Sequence, residues 1–160
     1  MAWREVPGYV AAQIGGALLG VATADVMFDL PAFSLSRHPR HGPSQMLSEF
    51  VATFGLLTVI WGCSRLRSAA VPVAVGAYIV AAYWFTASTS FANPAVTVAR
   101  SLTDTFVGIR PADVPGFVVA QLAGAGAATV LCRWLVPALP ALTPRVVGRT
   151  LEHAAEGRGR

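Results

Sequence analysis

Lysine is absent from this sequence: all twelve basic residues are arginine, and charged residues of both signs make up only 12% of 160 positions. A soluble domain carries about 25% charged residues, so a share near half of that, beside 54% hydrophobic residues and a mean hydropathy of +0.57, points to a membrane protein. Cysteine is scarce as well. Cys63 and Cys132 stand alone near helix ends, without the CxxC spacing or histidine partners of a metal or redox site. His38 and His41 have His-x-x-His spacing but no third acidic or thiol ligand nearby, so no metal is expected. No phosphate loop and no Cys/His/Asp set with catalytic geometry occurs, which argues against an enzyme and leaves no cofactor to expect. The net charge of +4 does not imply nucleic acid, because outside the C-terminal tail the arginines lie scattered at segment ends rather than clustered on one face.

What the chain does have is long apolar segments. Val6 to Phe28 has about the 20 residues a helix needs to cross a bilayer, and it reads as a first span rather than a cleaved signal peptide. It is rich in small residues (Gly15, Gly16, Ala17, Gly20), which let helices approach closely, and it carries Gln13, suited to an interhelical hydrogen bond or to a pore wall. Residues 30–43 hold three prolines and read as a loop. Ser44 to Trp61 reads as a second, Ser-capped span. Glu49 lies inside it, where a carboxylate demands a partner; so near the helix start it would equally favour the dipole and reach interfacial water, and both readings stand. Val71 to Phe85 is a third span, ending in the aromatic run Tyr83-Trp84-Phe85, and Val114 to Val136 is the last. The Arg-rich, proline-broken stretch 138–160 reads as a disordered cytosolic tail behind a membrane domain covering 1–137.

Ser88 to Arg100 organises the rest. Asn is a strong N-cap and Pro fits the first helical position, so Asn93-Pro94-Ala95 predicts the abrupt start of a short helix running to about Leu102. Lying between two spans, that start falls at membrane depth, where non-helical backbone is tolerated only if protein buries it or a wet cavity faces it. A half-helix with an amide side chain at its mouth is a pore-lining arrangement.

An internal repeat is independent support. Val6-Pro7-Gly8-Tyr9-Val10-Ala11-Ala12-Gln13-Ile14-Gly15-Gly16-Ala17 matches Val114 to Ala125 at eight of twelve positions, 108 residues later. Channels and transporters are often built from two such repeats with broken helices at their interface. The counterpart of Asn93 would fall before Met1, so the chain is expected to hold one and a third units of a two-unit fold. If both termini are cytosolic, that side carries eight arginines (Arg4, Arg65, Arg67, Arg133, Arg145, Arg149, Arg158, Arg160) and the other four (Arg37, Arg40, Arg100, Arg110), in keeping with the positive-inside tendency.

Asn93-Pro94-Ala95 after a span, Glu49-x-x-x-Thr53-Phe54-Gly55 upstream, and the repeated Tyr9-x-x-x-Gln13 and Phe117-x-x-x-Gln121 together resemble the major intrinsic proteins, the aquaporins and glycerol facilitators. The run Ala82 to Val96 looks most like a bacterial branch associated with arsenic-resistance operons. The resemblance implies an all-α, aquaporin-like bundle of about four transmembrane helices plus one membrane-inserted half-helix, an incomplete two-repeat fold in a bacterial plasma membrane. It implies a tetramer with one pore per subunit, whose partners are the lipid bilayer and small neutral solutes such as water, glycerol or arsenous acid. In that pattern Asn93 donates to permeating molecules, Pro94 and Ala95 lock the loop against its twin, and Glu49 holds the loop backbone. The family usually has Arg after this Asn-Pro-Ala. Here Val96 stands in the filter position, which implies a wider and less polar filter, and Ala81 or Tyr83 aligns with the filter's other wall. Arg100, four residues on, either steers solutes at the outer mouth or pairs with Asp104. A non-conducting remnant of such a channel is the competing expectation.

Overall fold

The computed structural model describes residues 3–135, so the tail expected over 138–160 lies outside the described residues. Five α-helices follow one another: α1 (Val6–Met27), α2 (Pro43–Leu66), α3 (Val71–Phe85), the short α4 (Pro94–Arg100) and α5 (Val114–Leu135). Short 3-10 turns lead into α1, α3 and α5, over Trp3–Glu5, Ser68–Ala70 and Pro111–Asp113. Among the described residues, and with these turns included, four helices are long and apolar enough to cross a membrane, and α4 is the half-helix between the third and fourth. The molecule is an all-α, multi-pass membrane bundle.

Each long helix starts with Pro in its first turn, where the missing N–H costs nothing. The start of α2 differs from expectation. Ser44 does not cap it; Gly42 does, at φ 97°, followed by Pro43 as the first helical residue. Only glycine adopts that conformation without strain, so the turn Gly42-Pro43 sets the boundary ahead of the serine.

Close packing holds α2 between α3 and α5. Gly124 of α5 lies so near the α2 backbone that a Cβ there would stand 2.5 Å from the Phe50 carbonyl oxygen and 3.1 Å from the Phe54 nitrogen. On the other side the Tyr78 hydroxyl donates to the Ala52 carbonyl at 3.0 Å, over the bare backbone of Gly55. α1 packs on α4. The segment 34–40 closes one end of the bundle by zipping onto 101–113. Ser34 and Ser36 N–H groups donate to the Leu102 and Ser101 carbonyls, the Arg110 N–H to the His38 carbonyl, and the Arg37 N–H to Asp104 at 2.7 Å.

Candidate functional site: the loop held by Glu49

The loop leaving α3 runs through Thr86 to Asn93, and three of its residues, none of them glycine, are left-handed: Thr89 (φ 61°), Ser90 (φ 49°) and Ala92 (φ 49°). Each such residue costs about 1–3 kcal/mol and persists only where its surroundings over-determine it. Glu49 supplies much of that constraint. Its carboxylate is fully buried and accepts the Phe91 N–H at 2.8 Å on one oxygen and the Ala92 N–H at 2.9 Å on the other. Gln121 of α5 donates its amide to the same carboxylate at 2.6 Å and to the Thr97 hydroxyl at 2.8 Å. Three donors therefore offset the burial of a charge that apolar surroundings would otherwise reject.

Arg40 secures the loop from the closed end of the bundle. Its guanidinium donates to the carbonyls of Gly108 (2.7 Å), Ser88 (2.9 Å) and Phe106 (2.7 Å), and its backbone N–H donates to Asp113 at 2.9 Å. Burial lowers the Arg40 pKa from its ordinary value while the charges of Glu49 and Tyr83 raise it. Phe91 packs edge-on against Phe117 of α5, at 5.2 Å, with the guanidinium carbons of Arg40 and Arg100 5.1 and 4.3 Å from its ring centre.

Held this way, Asn93 is extended (φ −155°) and caps α4: its Oδ1 accepts the Ala95 N–H at 2.8 Å, and the Thr97 hydroxyl donates back to the Asn93 carbonyl at 2.9 Å. The cap consumes the oxygen of the amide and leaves its donor end outward. That Nδ2 points at Gln13 Oε1 of α1, 3.5 Å away, the outer limit of a hydrogen bond. α4 ends at Arg100, two residues short of the expected Leu102.

Among the other residues singled out above, Pro94 is exposed, Ala95 is buried in the α4 contact, and Val96 lines a cleft between α1 and α4. On α3, Tyr83 is half-buried and lies within electrostatic reach of Arg40 and Arg100, whereas Ala81, two residues and about 200° away around the helix, is exposed. Arg100 does not pair with Asp104. Because α4 ends at Arg100, Asp104 is not one turn further along a helix; it accepts the Arg37 N–H instead, and the Arg100 guanidinium turns in over Phe91 and lines the same cleft as Val96. His41 stands 4.0 Å from Asp113, and Cys63 and Cys132 are free, half-buried thiols.

Four residues of the site escape the sequence reading. Gln121 appears there only as a repeat position, and Thr97 carries no signal. Arg40 is an ordinary loop arginine in sequence. Asp25, 4% exposed at the end of α1, bore the same signal as Glu49, a carboxylate inside an apolar span.

No family model matches the chain, and no solved structure matches it. Among curated proteins it is 58% identical over 138 residues to aquaglyceroporin AqpS of Rhizobium meliloti (strain 1021), an alignment covering 86% of this chain and 59% of that protein. It is 32% identical over 135 residues to aquaporin NIP1-1 of Oryza sativa subsp. japonica, covering 77% of this chain and 44% of the relative. The chain belongs to the major intrinsic protein family. Both relatives are named as channels of that family rather than as enzymes, and the chain spans less than two thirds of the length of either. In this chain Asn93-Pro94-Ala95 forms the α4 entrance described above, its cap made by Asn93 and its loop bonded to Glu49.

Proposed function

We propose that the chain contributes the solute-selecting part of a passive channel for small uncharged molecules: water, glycerol or metalloid acids resembling arsenous acid. The observation that carries this reading is the division of labour at Asn93. Its oxygen is spent on the cap, so the amide donor is left to face whatever passes between α1 and α4. The aquaglyceroporin name of the relative with 58% identity supports a glycerol-sized solute. Pro94 and Ala95 form the loop's contact surface, and Glu49 is its support. Val96 and Tyr83 form the filter wall, Tyr83 being preferred to Ala81 because it is half-buried and within electrostatic reach of Arg40 and Arg100, whereas Ala81 is exposed. A Val where the family usually has Arg removes a fixed charge and a planar set of donors, favouring larger and less polar solutes over water alone.

The proposed setting is a bacterial plasma membrane, with both termini and the tail cytosolic and the chain in a homo-oligomer, a tetramer by family pattern. Val96→Arg tests the filter. In a conducting assembly in liposomes it is expected to lower glycerol and arsenous acid flux while sparing water; an unchanged glycerol-to-water ratio in stopped-flow shrinkage would show that position 96 is not the filter.

A second reading is favoured by the exposed apolar faces of α1 and α3, including Tyr9, Leu19, Val73 and Val80. On it, the chain alone inserts but closes no pore, and conducts only when another copy or further chain covers those faces. Flux at background from the chain reconstituted alone supports this second reading, and fast, inhibitor-sensitive flux counts against it.

A further inference from the structure

The cleft between α1 and α4 has a volume of about 260 Å³, many times the ~15 Å³ that one water needs. Most of its wall is apolar, from Val21, Ala24, Val96 and Ala99. Two charged side chains also line it, and each has an atom left over. Asp25 is 4% exposed; one carboxylate oxygen accepts the Thr103 hydroxyl at 2.7 Å, and the other, Oδ2, is buried without a partner among the described residues. Arg100 likewise has a buried Nη1 without a partner. The two side chains form no ion pair with each other within 4.0 Å, so neither satisfies the other. A buried acceptor and a buried donor left open carry a desolvation cost that a ligand supplying both bonds removes.

We propose that Asp25 and Arg100 form a donor–acceptor binding site for a small uncharged solute, placed one turn beyond Val96 toward the end closed by loop 28–42. This deepens the channel reading and rests on it for the choice of solute. Charge selects the class. A free anion meets Arg100 but is repelled by Asp25, and a cation meets the reverse. A neutral molecule carrying a hydroxyl satisfies both: its O–H donates to Asp25 Oδ2, and an oxygen lone pair accepts from Arg100 Nη1. Its carbon edge then lies against Val21, Ala24 and Ala99. Along α4, Arg100 is four residues or roughly 6 Å from Val96, so a solute held here is oriented and partly stripped of water before it reaches the valine. Selection that an arginine at position 96 would supply is thereby moved outward to a matched pair.

Saturation-transfer NMR with glycerol as the probe, on the chain in nanodiscs, tests the site directly and does not depend on conduction. Asp25→Asn is the informative variant: Asn keeps the shape and an oxygen for Thr103 but replaces the free acceptor with a donor. Saturable glycerol binding in the parent, weakened about tenfold or more in Asp25→Asn and in Arg100→Leu and largely restored in Arg100→Lys, is the expected result. Thermal melting in detergent identifies any variant that has simply unfolded, in which case the folded one of the two decides. Binding unchanged in a folded Asp25→Asn, or no saturable binding in the parent, overturns the site. Liposome flux separates the two proposals: binding lost in the variants of a parent that does not conduct supports the site and counts against the channel reading, whereas a conducting parent without saturable binding overturns the site alone.

Discussion

Residues 6–17 and 114–125 share eight of twelve positions, yet the second copy is packed and the first is bare. In α5 this face buries Phe117, Ala120, Gln121 and Gly124, mainly against α2. In α1 the counterparts Tyr9, Ala12, Gln13 and Gly16 are all exposed; Tyr9 is 58% accessible where Phe117 is at 0%. The same small-residue face with the same glutamine is therefore a surface that suits a helix partner, and whether it is used depends on what lies opposite. α5 has α2 with Glu49 opposite it. α1 packs chiefly on α4 and has no carboxylate like Glu49 set against its glutamine among the described residues. Without a hydrophobic drive between helices in lipid, small residues serve close contact and a glutamine serves a hydrogen bond, so the bare copy is dressed for a partner rather than for acyl chains.

Removing what α5 has and α1 lacks gives the largest expected effect. Glu49→Ala leaves the Phe91 and Ala92 N–H groups and the Gln121 amide without their acceptor, and is expected to cost about 3–5 kcal/mol of stability. Unfolding titrations in detergent measure it. A variant as stable as its parent would mean that the carboxylate does not hold the loop. Glu49→Gln should cost less, since its oxygen can still accept one of the loop N–H groups.

The glycines at equivalent positions make the next comparison. Gly124→Ala drives a methyl into the Phe50 carbonyl and the Phe54 nitrogen, which belong to α2 backbone and cannot swing aside; overpacking of this kind costs about 1–3 kcal/mol. Gly16→Ala meets nothing within 4 Å and should be neutral or stabilising by up to about 1 kcal/mol, because alanine gives up less backbone freedom in a helix. Melting the two variants side by side, first in detergent and then in lipid, sharpens the contrast. If Gly16→Ala becomes costly only in lipid, the bare face is covered there by another helix, from a second copy or from outside residues 3–135.

How much of this was legible in the sequence follows from how local each cause is. The existence of the spans and the Asn93 cap depend on neighbours a few residues away, and α3 begins and ends where its apolar run does, whereas α2 runs past the expected Trp61 to Leu66. The start of α2 was misplaced by two residues because a glycine at φ 97° outranked a serine of ordinary capping habit. The site itself is non-local. Glu49 could be recognised as a residue in need of a partner, but its partners are backbone N–H groups 42 and 43 positions away, on a loop whose left-handed turns fall on Thr89, Ser90 and Ala92, where no glycine announces them. Arg40 looked like one loop arginine among several, and only the fold brings three carbonyls to its guanidinium. The Arg100–Asp104 pairing assumed a helix that continues; it stops at Arg100.

The smallest expected effect belongs to the two glutamines, and it is the most direct test of the bare face. Gln121 donates to Glu49 and Thr97 at 2.6 and 2.8 Å in the interior, so Gln121→Ala should cost about 1–3 kcal/mol through the partners it abandons. Gln13 is exposed and makes one contact, at 3.5 Å, with Asn93; Gln13→Ala should stay within about 0.5 kcal/mol of the parent in detergent, as exposed substitutions do. The quantity to measure is the difference between the two variants, which cancels the shared change in helix propensity. A gap of one kcal/mol or more, on the order expected for buried against exposed amides, agrees with the packing described here. A gap near zero in lipid, with both variants destabilised, would instead mean that Gln13 meets in the membrane an acceptor equivalent to Glu49, supplied from outside residues 3–135, and that the difference between the two copies belongs to the isolated chain alone.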